Sequence, residues 1–68
     1  MYKLVITDKD NKVLLEDWNT SKNRALRDAK EFLEEDRAAK MAYIIAENGG
    51  TFVSLTPYKL RGGEIVEI

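Results

Sequence analysis

The sequence lacks both cysteine and histidine. Cysteine supplies the thiolate nucleophile and the disulfide, and histidine is the side chain whose charge changes most readily near neutral pH. Catalytic sites of the Ser-His-Asp and Cys-His types are therefore excluded, as are the zinc sites that these residues form. We expect a protein that is not an enzyme and that uses no metal or cofactor.

The sequence also has no large excess of charge of one sign. It contains 11 lysine and arginine residues and 12 aspartate and glutamate residues, for a net charge of −1. Such a chain has no global positive field that would attract nucleic acid or an anionic membrane. Nucleic-acid binding is therefore disfavoured, although a local basic patch remains compatible with the composition.

Long apolar runs are absent as well. The longest, Met41 to Ala46, has six residues, and others are pairs and triplets such as Leu4-Val5-Ile6, far short of the roughly 20 residues that a membrane span requires. Asp8 and Asp10 lie close to the amino terminus, where a signal peptide would be basic and then apolar. We expect no membrane segment and no export signal, and hence a cytoplasmic protein.

Glycine is scarce, and its four residues form the pairs Gly49-Gly50 and Gly62-Gly63. A phosphate-binding loop would need a following Lys-Ser or Lys-Thr and a helix, and neither pair has them. The segment from Asp8 to Lys12 has acidic residues at calcium-loop spacing but lacks the required glycine and the final glutamate. We interpret all three segments as turns.

At 68 residues the chain has room for one hydrophobic core, so we expect residues 1–68 to form a single domain. The alternating residues from Tyr2 to Thr7 predict a strand, and the apolar residues from Val13 to Trp18 predict a second strand after a turn. The order along the whole chain is β-β-α-β-β-β. This order predicts an α+β fold with one amphipathic helix packed on one face of a mainly antiparallel sheet.

The helix has the clearest periodicity in the chain. Asn19, Thr20 and Ser21 are successive candidates for its N-cap, and we expect it to end near Asp36 or Arg37. Five apolar residues fall within an arc of about 120°, and the charged residues cover the opposite side. The apolar residues, which should face the sheet, are Ala25, Leu26, Ala29, Phe32 and Leu33.

Further strands follow the helix. The run Tyr43-Ile44-Ile45 favours a strand, and Asn48-Gly49 is a preferred central pair for a type I′ turn into the next strand. That strand either ends at Pro57 or has this residue facing an open edge, because proline donates no hydrogen bond. Residues 64–68 are predicted to form the last strand.

Both faces of this sheet carry large apolar residues, such as Val5 on one side and Leu4 and Ile6 on the other. One helix covers only one face, and a domain of this size is short of core. We therefore predict a homodimer joined through the sheet, by packing of two faces or by pairing of edge strands, with residues 64–68 as the expected edge. The alternative is a strongly coiled sheet that buries part of its second face on itself.

In layout the chain resembles small bacterial and bacteriophage proteins of the ββαββ type, and this resemblance implies a protein that binds and blocks a host protein. The leading hypothesis is therefore a noncatalytic protein-interaction module, acting as a small inhibitor or regulator of an unidentified protein partner. Its candidate contact residues are Trp18 and the helix residues Glu31, Glu34 and Glu35. Negative charge near a helix carboxy terminus is unfavourable, and such a mismatch can mark a functional surface. For Trp18 a place in the core competes with a surface role, and the high average burial of tryptophan favours the core.

The alternative function is the binding of single-stranded nucleic acid across the sheet. Trp18, Tyr43 and Tyr58 would stack on bases, whereas Lys3, Lys59 and Arg61 would contact phosphates. The net charge opposes this function, which therefore ranks second.

Overall fold

The computed structural model describes residues 1–68 and confirms the α+β class and the predicted order of elements. One five-stranded antiparallel sheet carries one helix. The elements are β1 (Tyr2–Thr7), β2 (Val13–Asn19), α1 (Lys22–Glu35), β3 (Met41–Asn48), β4 (Thr51–Arg61) and β5 (Glu64–Glu67). No helix of the structure has the length and apolar content that crossing a membrane requires.

The strand order across the sheet is β2-β1-β3-β4-β5. Strand β3 pairs with β1 rather than with β2, because α1 crosses over β1 and returns the chain on its other side. The remaining connections are hairpins between neighbouring strands. The crossover places β1 inside the sheet and leaves β2 and β5 as the two outer strands.

Helix α1 begins after Ser21, whose Oγ accepts a hydrogen bond from the backbone N–H of Arg24 at 3.4 Å. Ser21 is therefore the N-cap among the three candidates. The helix ends at Glu35, and the backbone N–H of Asp36 donates to the carbonyl of Phe32 at 2.9 Å. The predicted apolar arc is confirmed: Ala25, Ala29 and Leu33 are buried, and Leu26 and Phe32 are half-buried against the core.

The buried core lies between α1 and one face of the sheet. Leu4 and Ile6 are its largest fully enclosed side chains. Four alanines take part, which brings the helix close to the sheet but keeps the buried volume small. The nine buried apolar residues are Leu4, Ile6, Ala25, Ala29, Leu33, Ala39, Ala42, Ile44 and Tyr58.

The turns follow the predicted chemistry with one correction. Asn11 has φ of 63°, and the Asp8 carboxylate accepts hydrogen bonds from the backbone N–H groups of Asp10 and Lys12 at 2.8 and 2.9 Å. The prediction of Asn48-Gly49 as the central pair of the next turn is wrong by one residue. Gly49 and Gly50 have φ of 60° and 83°, so they hold the two positions that a type I′ turn needs, while Asn48 stays in β3.

Pro57 does not end its strand, because β4 continues to Arg61. The backbone N–H of Ile68 donates to the carbonyl of Pro57 at 3.0 Å, so the backbone polar groups of Pro57 point away from β3. The proline nitrogen, which carries no hydrogen, therefore points to the β5 side of β4, just beyond the residues that pair with β5. No backbone hydrogen bond to β3 is lost. Of the two alternatives for Pro57, the open edge is confirmed.

Candidate functional site

The side of the sheet opposite the helix has no covering element, and we call it the open face. Side chains alternate along a strand, so the neighbours of the helix-facing Leu4, Ile6 and Ile44 point to this side. The register aligns Trp18, Lys3, Ile45 and Leu55 in one row across four strands. A second row on the same face, two residues away along each strand, contains Glu16, Val5, Tyr43 and Pro57.

Large apolar side chains on the open face are accessible to solvent. Trp18 is 49% exposed, Leu55 48% and Phe52 61%. Val5, Tyr43 and Ile45 are half-buried, so the centre of the open face is less accessible than its periphery. The prediction that Trp18 belongs to the core is wrong, because its pairing with Lys3 places it on the face that the helix does not reach.

Lys3 is held between two neighbours on this face. Its Nζ lies 3.2 Å from Glu16 Oε1 and 5.7 Å from the centroid of the Trp18 ring. Both contacts are accessible to water, so each contributes at most about 1 kcal/mol. Together they orient the lysine along the indole and give it a nearby counter-charge, which reduces its attraction for a phosphate.

The residues proposed for nucleic-acid binding do not all share one surface. Tyr43, Lys59 and Arg61 lie on the open face with Lys3, but Tyr58 is only 6% exposed and pairs with buried Ala42 on the helix side. The prediction that Tyr58 stacks on bases is therefore wrong. The register also sets Glu64 directly opposite Arg61, beside the cations.

The acidic helix residues form a different surface. Glu31, Glu34 and Glu35 are exposed, and they lie on the side of the molecule away from Trp18, with the sheet in between. The last turn of the helix carries no basic residue that would offset them. The structure therefore does not unite the four predicted contact residues into one site.

A cleft of about 440 Å³ lies where the end of α1 meets β4. The Asp36 carboxylate in its wall accepts a hydrogen bond from the backbone N–H of Ala38 at 2.9 Å and thereby shapes the turn after the helix. Two acidic and two basic side chains line the cleft, so it favours neither sign of ligand charge. Its walls are Leu33, Glu34, Asp36, Arg37, Ala39, Lys40 and Leu60.

One feature that the sequence interpretation missed is an unpaired edge within β4. Strand β5 pairs with β4 only from Tyr58 to Arg61, so residues Thr51–Thr56 have no neighbour on that side. Phe52 and Val53 in this segment are about 60% exposed. The signal that was available is the absence of any charged residue from Asn48 to Tyr58 in a chain that is 34% charged.

Comparison of the chain with protein-family models, with curated proteins and with solved structures found no match. The arguments for a function therefore depend on the residues and geometry of this chain alone.

Proposed function

We propose that the protein is a noncatalytic protein-interaction module, acting as a small inhibitor or regulator, and that it binds a protein partner through the open face around Trp18. The observation that supports this is the apolar surface on a face that no element of the chain covers. Large contiguous apolar surface on a soluble domain is typical of a binding site. The homodimer predicted from the sequence is a separate proposal, which does not compete with a second partner.

The composition of the open face suggests the chemistry of the partner. Trp18 and Leu55 end a row whose centre is half-buried, and Lys3 and Glu16 form a charged pair at the same side as the tryptophan. Interfaces commonly combine an apolar centre, aromatic anchors and a charged rim. The expected partner therefore presents an apolar patch with polar groups of both signs at its border, rather than a surface of one charge.

The acidic helix surface is the competing site for a protein partner. Its glutamates are exposed and hydrated, so they would steer a basic partner and raise the association rate more than the affinity. The open face is favoured because burial of its apolar groups supplies free energy directly, at roughly 25 cal/mol per Å².

Affinity capture with three baits separates these two surfaces. The wild-type chain, the variant Trp18→Ala and the triple variant Glu31→Lys, Glu34→Lys, Glu35→Lys are compared by quantitative mass spectrometry. We expect a partner that the triple variant retains and Trp18→Ala loses. Val13→Ala is a matched control, because Val13 is an equally exposed apolar residue at the other end of β2. A partner that is lost only with the triple variant would place the site on the helix and contradict the proposal.

Single-stranded nucleic acid remains the second candidate ligand, because Trp18, Tyr43, Lys59 and Arg61 share the open face. Aromatic side chains among cations can stack bases and contact phosphates. Titration with short oligonucleotides at low salt would quench the Trp18 fluorescence if this function holds, and added salt would reverse the effect steeply. Unchanged fluorescence, with no binding by an independent filter assay, would exclude it.

A further inference from the structure

The unpaired segment Thr51–Thr56, which we call the free edge, can pair with a further strand through its backbone. Six residues of β4 extend beyond the end of β5, and their outward backbone N–H and C=O groups have no partner strand. Natural sheets usually protect such an edge with charge, proline or a covering element. Here the first protective residue is Pro57, directly after the segment.

The free edge differs from the other sheet edges in its charge. Strand β2 carries Glu16 and Asp17, and β5 carries Glu64 and Glu67. If either strand paired about its centre with the same strand of a second copy in the antiparallel sense, acidic residues would face acidic residues, which is destabilising. The free edge has no charged residue, so it alone can pair with itself without repulsion.

A β-bulge makes the free edge self-complementary in its side chains. Ser54 pairs with Ala46 and Phe52 with Glu47, which leaves Val53 as the extra residue. Without the bulge, residues three positions apart would point to opposite faces. With it, Phe52 and Leu55 both lie on the open face.

The bulge also gives Phe52 and Leu55 the same direction of their backbone N–H and C=O groups. The backbone groups of Pro57 point outward, and outward and inward residues alternate along an antiparallel strand. Leu55 therefore points its N–H and C=O outward, and the bulge restores the same orientation at Phe52. Phe52 and Leu55 therefore share the open face and also point their backbone N–H and C=O groups outward.

We propose that two copies of the chain pair antiparallel through their free edges, with Phe52 opposite Leu55 of the partner subunit. In this register each such pair exchanges two backbone hydrogen bonds, and both pairs lie on the open face. Thr51 then lies opposite Thr56 of the partner subunit. The two five-stranded sheets become one sheet, and their open faces become one surface. The pairing does not depend on the partner binding proposed above.

Sedimentation equilibrium from micromolar to millimolar concentration tests the pairing. We expect a reversible dimer for the wild-type chain and a dissociation constant raised at least about tenfold by Leu55→Lys, since a charge would be placed on the paired edge, opposite Phe52 of the partner subunit. Val13→Lys is the matched control, because Val13 is 49% and Leu55 48% exposed, and Val13 lies on β2, which β1 and β3 separate from β4. A wild-type monomer throughout, or a Leu55→Lys dimer as strong as the wild type, would overturn the proposal.

Cross-linking tests the register, and the cysteine-free chain makes it direct. An oxidised equimolar mixture of Phe52→Cys and Leu55→Cys should give mainly the mixed disulfide, because these positions oppose each other while like positions lie roughly 10 Å apart. Circular dichroism confirms that both variants are folded. If cross-links within each variant equal or exceed the mixed product, this register is wrong.

Discussion

Leu4 and Val5 are adjacent in β1 but point to opposite sides of the sheet, so they test which face stabilises the fold. Leu4 is fully buried beneath the helix, whereas Val5 is half-buried on the open face. The perturbation is the pair of single substitutions Leu4→Ala and Val5→Ala. Both keep the backbone and the charge of the strand unchanged.

The expected losses of stability differ several-fold. Truncation of an enclosed leucine to alanine costs about 2–5 kcal/mol, because it removes buried carbon and leaves a cavity. Val5 loses less apolar surface from a site that solvent already reaches, so Val5→Ala should cost about 1 kcal/mol. At about 0.05–0.15 kcal/mol per residue, a domain of 68 residues has a total stability of about 3–10 kcal/mol. Leu4→Ala therefore removes a large fraction of the total.

Urea denaturation followed by circular dichroism at low micromolar concentration measures both losses, and the two variants should share the wild-type dependence on urea. If Leu4→Ala is too unstable to give a native baseline, Ile6→Val replaces it with an expected loss of about 0.5–1.5 kcal/mol. Equal losses for Leu4→Ala and Val5→Ala would refute the reasoning. That outcome would mean that the open face is packed in solution, as it would be in a dimer joined face to face.

Three further changes probe single interactions. Thr7→Val should stabilise the fold by about 1 kcal/mol in thermal unfolding, because the buried Thr7 Oγ1 has no hydrogen-bond partner within the protein. Gly49→Ala should cost about 1 kcal/mol in the same assay, since φ of 60° strains any residue with a Cβ. The backbone hydrogen bond from Lys12 lowers the pKa of Asp8 in the folded protein. The ionised Asp8 carboxylate therefore stabilises the fold above its unfolded pKa, and this stabilisation is lost as the pH falls through the folded pKa. Asp8→Asn should flatten acid unfolding in that range.

The parts of the fold that depend on local chemistry could be predicted from the sequence. The helix face follows from the spacing of Ala25, Ala29 and Leu33, and the helix end follows from the loss of that spacing at Asp36. The hairpins follow from turn residues with known backbone preferences. The position of the second turn differed by one residue, because Asn48-Gly49 and Gly49-Gly50 both satisfy a type I′ turn.

The surface positions of the aromatic residues could not be read in the same way, because they depend on pairing between distant strands. Trp18 lies on the open face only because β2 pairs with β1 in the register that sets it beside Lys3. Phe52 and Tyr58 are an even number of positions apart in one strand and would share a face in a regular strand. The bulge at Val53 reverses the alternation, so Phe52 is exposed and Tyr58 is buried.

The open face and the free edge have a common origin in the proportions of the elements. A helix of 14 residues is about 21 Å long, and a single such helix covers one side of a five-stranded sheet at most. Strand β4 has 11 residues and β5 has four, so the last hairpin cannot cover the edge that the preceding hairpin exposes. A second copy paired at the free edge would satisfy the backbone of β4 but would leave both open faces uncovered. Edge pairing and partner binding are therefore compatible.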